Sequence, residues 1–441
     1  MWVRRLLIGP ILLILAALGV YFTYFYQPPP DARLACHYGA YDLENGKLVV
    51  VTPSAGRDTL RIVWMNGLTQ HLKPVVRDAN GKPTAFQRST GWGGDDDAWP
   101  GDGAFFGSCA EGLITLVSHG PTESLGRQRT FDVTETSFMS HGLKLFGRLV
   151  MPRVEGPVPV AVLVHGSEAN SAVIFDRMQH LLPANGIGVF VYDKRGTGKS
   201  QGRYSQNFHW LADDAAAALA TARKLAGPLA GEVGFFGGSQ AGWIEPLAAT
   251  KVRTDFVLVG FGMVESPLAE DREEVFDDLR TAGYGEDVIA KAREITDATA
   301  KVMASGFTDG FDELDAVRAK YSHEPWYGKI KGEYTGDFLK SPNWVLRLAG
   351  PWFDMGTSWT YDPRPALEAY QGPHLWVLAE RDSVAPSEIT LRILREVQTT
   401  HPNLDVVVFP NTDHGIIEFE EKNGERVSTR FADGYFQLIA D

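Results

Sequence analysis

The segment Val233-Gly234-Phe235-Phe236-Gly237-Gly238-Ser239-Gln240-Ala241-Gly242-Trp243 reads as an apolar strand, a turn crowded with small residues, and the start of a helix. A strand that turns into a helix over so few residues has no room for bulky side chains at the bend, so small residues must flank whatever stands at its apex. That residue is Ser239. The strained turn lifts its hydroxyl clear of the backbone, and the helix N-terminus directs the Gln240 amide toward any negative charge that forms beside it. The pattern is that of a nucleophile elbow rather than of a glycine-rich loop with an incidental serine.

An elbow serine needs a base, an acid that orients the base, and a second amide donor. Val158 to Val164 is an apolar strand ending in His165-Gly166-Ser167, where the Ser167 amide can face an oxyanion. His374 to Leu378 is another such run, with Asp382 just past its end. Leu404 to Phe409 is a third, broken at Pro410-Asn411-Thr412-Asp413-His414-Gly415, which places His414 on a loop after the last strand. Glu380 and Asp413 compete with Asp382 for the acid role. Asp413 adjoins the histidine in sequence and cannot easily fold back onto its ring, so Glu380 is the more serious rival. Each residue has a plainer reading, as a turn former, a cap or a surface histidine. Serine, acid and histidine in that order, each at a strand end, are much less expected by chance than any one alone.

These stretches, with Tyr192-Asp-Lys-Arg-Gly-Thr-Gly-Lys-Ser200, Gly237-Gly-Ser-Gln-Ala-Gly-Trp-Ile-Glu-Pro246 and Asp362-Pro-Arg-Pro-Ala-Leu367, resemble the α/β-hydrolases, and more narrowly the bacterial serine esterases related to the prolyl oligopeptidase and dienelactone hydrolase branches. The resemblance runs from Arg129 to the C-terminus. Two departures stand out: Ala241 replaces the last glycine of the usual G-x-S-x-G, and the charged Glu168 follows the oxyanion loop. The resemblance implies a doubly wound, mainly parallel α/β sheet carrying a helical cap, and a serine enzyme needing neither metal nor organic cofactor.

Gly198-Lys199-Ser200 looks like the end of a phosphate-binding loop, but the glycine required five places before the last one is Asp193. The run is expected to be structural. A net charge of −13 provides no basic stripe for nucleic acid. Asp95-Asp96-Asp97 is expected to be a solvated loop rather than a calcium site.

After Arg4 and Arg5, residues 6 to 26 carry no charge, a length that at about 1.5 Å per residue spans a bilayer core of about 30 Å. Aromatic residues at 21–26 and Pro28-Pro29-Pro30 would close such a helix, and the arginines would keep its start cytoplasmic. Residues 1–30 are therefore expected to anchor the chain with its bulk on the periplasmic side. A cleaved signal peptide and a lipoprotein built on Cys36 are the alternatives.

Residues 31–128 show short candidate strands at 47–51, 59–65 and 113–117, separated by Asn-Gly turns, and are expected to form a small β domain. Cys36 and Cys109, the chain's only two cysteines, flank it. Export favours a disulfide over two free thiols. The hydrolase core is expected over 129–262 and 373–441, with 263–372 inserted as a helical cap over the site. Trp326, Tyr327, Trp344, Trp352, Phe353 and Trp359 either wall the site or fasten the cap.

The expected activity is hydrolysis of a small-molecule carboxylic ester through an acyl-enzyme. Ser239 is the nucleophile, His414 the base, Asp382 its orienting acid, and the Ser167 and Gln240 amides the oxyanion hole. A peptidase or thioesterase of the same chemistry is the alternative, and a catalytically silent binding protein a remoter one.

Overall fold

The computed structural model describes residues 29–441, apart from Ala55, 93–97, 119–122 and Asn423. The apolar segment 6–26 and the acidic triplet at 95–97 lie outside the described residues. Among the described residues no helix is long and apolar enough to cross a membrane. The chain divides into two units: one runs to Arg129 without Met65–Leu68, and the other holds Met65–Leu68 and Thr130–Asp441.

In the first unit, eight antiparallel strands close into a barrel: β1 (Gly39–Leu43), β2 (Leu48–Pro53), β3 (Leu60–Trp64), β4 (Thr69–Arg77), β5 (Pro83–Thr90), β6 (Ala98–Phe106), β7 (Leu113–Val117) and β8 (Glu123–Gln128). β8 returns to β1 with Asp42 opposite Arg127, so no edge remains unpaired. Tyr41, Val49, Val51, Ile62, Phe86 and Ile114 are buried in its interior. Gly46 supplies the positive φ of the first hairpin turn, where the Asn45 side chain accepts from the Lys47 amide. A disulfide joins Cys36, in the 3-10 turn Ala32–His37, to Cys109, between β6 and β7.

The second unit opens with the hairpin β9 (Asp132–Ser140) and β10 (Leu143–Met151), whose turn residues His141 and Gly142 both have positive φ. Strands and helices then alternate: β11 (Val158–Val164), α1 (Ala172–Phe175), α2 (Met178–Ala184), β12 (Gly188–Tyr192), α3 (Phe208–Ala226), β13 (Ala230–Gly238), α4 (Ala241–Ala249) and β14 (Val257–Gly260). The cap follows as α5 (Pro267–Thr281), α6 (Glu286–Ala304), α7 (Phe311–Tyr321), α8 (Thr335–Lys340), α9 (Asn343–Phe353) and α10 (Arg364–Ala369). The chain rejoins the sheet with β15 (His374–Ala379), α11 (Ser387–Gln398) and β16 (Leu404–Phe409). A small sheet of β17 (Thr412–Asp413), β18 (Ile417–Lys422) and β19 (Glu425–Phe431) and the turn of helix α12 (Tyr435–Leu438) finish it.

The main sheet runs β16-β15-β14-β13-β11-β12-β10-β9, with only β10 reversed relative to the other strands. Strands covered on both faces must be apolar throughout, as β12 is, with all five residues buried. On α3 the residues turned toward the core are mainly alanines, Ala215, Ala218 and Ala222, with Leu219, which lets the helix lie close on the sheet. β11 lies between β12 and β13, so the winding reverses there and opens a crevice beyond the carboxyl ends of β11 and β13. The cap has its own core, built on Phe276, Ile295, Leu314, Trp326 and Phe338, with Trp359 packed at its edge. Trp326 and Trp359 thus hold the cap together, whereas Trp344 and Trp352 face solvent and do neither job expected of them.

Candidate active site

The reversal in winding brings two turns together. Val164 pairs with Gly237, so the loop after β11 and the elbow after β13 leave the sheet at the same level. A Cβ on Gly237 would lie 1.9 Å from the Val164 carbonyl oxygen, and one on Gly238 2.2 Å from the Phe261 ring, so both positions require glycine. Ser239 has φ 56°, a left-handed conformation that costs a non-glycine residue energy and that the surrounding bonds must enforce. Its amide donates to the Gly260 carbonyl at 2.9 Å, and its carbonyl accepts from Gly242 at 2.9 Å. Gln240 then stands immediately before α4.

His414 and Asp382 meet beyond the ends of β16 and β15. His414 Nδ1 is 3.1 Å from both Asp382 carboxylate oxygens. Asp382 is buried, and its Oδ1 also accepts from the amides of Val384 at 3.0 Å and Ala385 at 2.8 Å. Burial alone would lower the His414 pKa, but the charge and hydrogen bond of Asp382, with lesser help from Asp413 and Glu168, raise it. The rivals are occupied elsewhere. Glu380 accepts from the Asn411 amide at 2.8 Å. Asp413 accepts from the Ser383 amide and hydroxyl, from the His414 amide and from Arg426, so it braces the histidine loop through the backbone. Phe261 links the two halves: its ring lies against Gly238 and edge-on to His414, with centroids 5.0 Å apart.

On the other side of Ser239, no group accepts from the Ser167 or Gln240 amide among the described residues. The carbonyls beside them are fixed. Lys194 donates to the Gly166 carbonyl, and the Tyr204 hydroxyl to the Ser167 carbonyl. Because a trans peptide points its C=O and N–H in opposite directions, Lys194 at Gly166 sets the direction of the Ser167 N–H. Burial lowers the Lys194 pKa to about 8.

The other charged residues of the Asp193-Lys194-Arg195 run are locked as well. Arg195 makes a paired salt bridge with buried Asp214, at 2.7 Å for each contact. Asp193 accepts from Ser171 and from the Lys199 amide, and a Cβ on Gly198 would collide with its carboxylate. The position that resembles a phosphate cradle is filled by the protein's own acid.

Three of these contributors, Lys194, Phe261 and Glu245, were not foreseen. Glu245 lies on α4 directly behind the elbow, and among the described residues neither of its oxygens has a partner. Burial holds its pKa well above the usual carboxylate range. A glutamate inside the apolar run Trp243-Ile244-Glu245 was its only sequence signal.

A family model described as serine aminopeptidase, S33, matches residues 156–266, from β11 through the elbow to the cap's threshold. That match falls on a sheet of eight strands with one reversed, a switch point between β11 and β13, and a left-handed serine between them. The chain is an α/β-hydrolase. No curated protein matches this hydrolase in sequence. Among solved structures it is similar to an esterase of Pyrococcus furiosus, at 14% identity and TM-score 0.42 over 65% of this chain and 84% of that one. It is also similar to the acylaminoacyl peptidase of Pyrococcus horikoshii, at 14% identity and TM-score 0.40 over 83% of this chain and 52% of that one. A third is Est1E of Butyrivibrio proteoclasticus with ferulic acid bound, at 17% identity and TM-score 0.39 over 69% of this chain and 94% of that one.

Proposed function

We propose that this hydrolase cleaves carboxylic esters through an acyl-enzyme formed on Ser239. The observation that carries the reading is the His414–Asp382 pair at the same sheet rim as a serine held at positive φ. Ser239 Oγ attacks the ester carbonyl while His414 Nε2 takes its proton. Asp382 holds the Nδ1 proton and so leaves Nε2 bare. The tetrahedral oxyanion is met by the Ser167 and Gln240 amides, the latter at a helix N-terminus. The intermediate collapses with loss of the alcohol, which receives the proton from His414. Water then attacks the acyl group by the same route in reverse, and Ser239 is regenerated. No step calls for a metal or organic cofactor.

An amide or thioester would follow the same steps, and the match to a serine aminopeptidase family favours testing the amide first. One purified sample assayed on p-nitrophenyl esters, aminoacyl anilides and acyl thioesters ranks the three. A fluorophosphonate should label Ser239, and Ser239→Ala should lose the label and about 10⁶-fold in kcat with the fold retained. Labelling of any other serine overturns the assignment.

A further inference from the structure

The cap helix α9 is apolar on both sides, so that it turns an apolar stripe outward as well as inward. Leu346 and Gly350 pack inward, and a Cβ on Gly350 would strike the Phe307 ring. Trp344, Leu348 and Trp352 fall two residues from these, on the opposite side at about 100° per residue, and are 68, 67 and 82% exposed. Asn343 is tied down by Arg318 and Asp315 at the helix start. The helix carries no acidic residue, and its one charge is Arg347, held over the Phe311 ring at 3.8 Å.

Two tryptophans and a leucine at i, i+4 and i+8, beside one basic residue, are the composition of a helix lying in a membrane interface. A stripe of three side chains on an eleven-residue helix is far smaller than the roughly 1,000 Å² a stable protein interface needs. Shallow insertion into lipid needs only such a stripe, and more so where a second element already holds the protein to the bilayer. Residues 6–26, uncharged and expected from their length to be such an element, precede the described part, which begins at Pro29.

We infer that the outer face of α9 seats on the surface of a lipid bilayer, as a second contact beside the N-terminal apolar segment. The helix leads directly to the site. Just beyond its end, the Met355 carbonyl accepts from the Gln206 amide and Thr357 donates to the Gln206 side chain. Gln206 in turn contacts Tyr204, whose hydroxyl fixes the Ser167 carbonyl. Lipid contact at α9 therefore lies beside the loop that carries the Ser167 amide. With a net charge of −13, apolar insertion and not attraction to anionic lipid is the driving term.

The test uses the full chain reconstituted in phosphatidylcholine vesicles with and without lipid brominated near the headgroup end of its chains, a quencher of tryptophan at contact range. Trp344→Phe/Trp352→Phe keeps the face apolar and should lose most of the bromine-dependent quenching of the wild type, while turnover of a water-soluble ester stays unchanged. Equal quenching in the two proteins overturns the inference, because the signal then comes from other tryptophans such as Trp2. A dimer in detergent that Trp352→Glu dissociates, with no quenching at α9, also overturns it and assigns the face to a second copy. Both readouts are independent of whether Ser239 cleaves esters.

Discussion

Replacing Asp382 by asparagine changes a single atom and separates the orientation of His414 from the stability of the loop. Asp382 Oδ1 holds the Val384 and Ala385 amides at 3.0 and 2.8 Å, and both carboxylate oxygens stand 3.1 Å from His414 Nδ1. An asparagine that keeps its one carbonyl oxygen on the two amides must present NH₂ to the histidine. Facing a donor, Nδ1 becomes the acceptor and the ring proton moves to Nε2, the nitrogen that has to be bare to accept from Ser239. This change of tautomer costs about 10⁴-fold in kcat in Ser-His-Asp triads. That loss is about 5.4 kcal/mol, at about 1.36 kcal/mol for each decade. Stability should hardly move, because both amides keep their acceptor. Asp382→Ala, by contrast, strands them, and a buried unsatisfied donor costs about 1–3 kcal/mol. The assay is p-nitrophenyl ester turnover beside the urea midpoint for the two variants and for Glu380→Gln. An Asp382→Asn enzyme within tenfold of wild type, or one surpassed in loss by Glu380→Gln, refutes the reasoning.

Lys194→Met should lower kcat by about 10² with little change in KM, since it frees the peptide whose N–H faces the oxyanion and removes no substrate contact; a change confined to KM would argue against this. Glu168→Gln removes one of the charges that raise the His414 pKa, so the acid limb of the kcat/KM profile should move to lower pH. A limb that stays in place or moves upward counts against it. Reducing Cys36–Cys109, whose partners are 73 residues apart, should destabilise the first unit by about 4 kcal/mol in the loop-entropy model. Ester turnover should persist, as the second unit has no cysteine. Two alkylatable thiols in unreduced, denatured protein from an oxidising compartment would show that the bond is absent there.

The elbow was legible because its small residues are consecutive in the chain, although what holds Gly237 and Gly238 small, the Val164 carbonyl of β11 and the Phe261 ring past β14, lies on the strands to either side. The buried strands of the main sheet were legible as short apolar runs for the same reason. The barrel was only half visible. β4 and β5 carry Gln70, Arg88 and Ser89 into buried positions, where Arg88 donates to Gln70 and Ser118, so the hydrophobic alternation is interrupted. Lys194 on Gly166 joins loops 28 residues apart, and no spacing rule predicts such a pairing. The β18–β19 hairpin was not foreseen, and neither was its use: it brings Arg426 to Asp413 and so steadies the histidine loop. The aromatic residues of the cap show the limit most sharply, since composition alone gave Trp326 and Trp352 the same weight although one is buried and the other bare.

The excursion from α5 to α10 leaves the sheet at Gly260, the end of β14, and rejoins it at His374, the start of the parallel neighbour β15, whose partner on β14 is Val257. An insert tied to its host at the ends of two neighbouring strands can be lengthened, trimmed or exchanged while every ladder beneath it stays in register. Descent can therefore rewrite what reaches Ser239, and which surface the enzyme rests on, as a replaceable cassette. The chemistry at the strand ends is then inherited separately from the choice of what it acts upon.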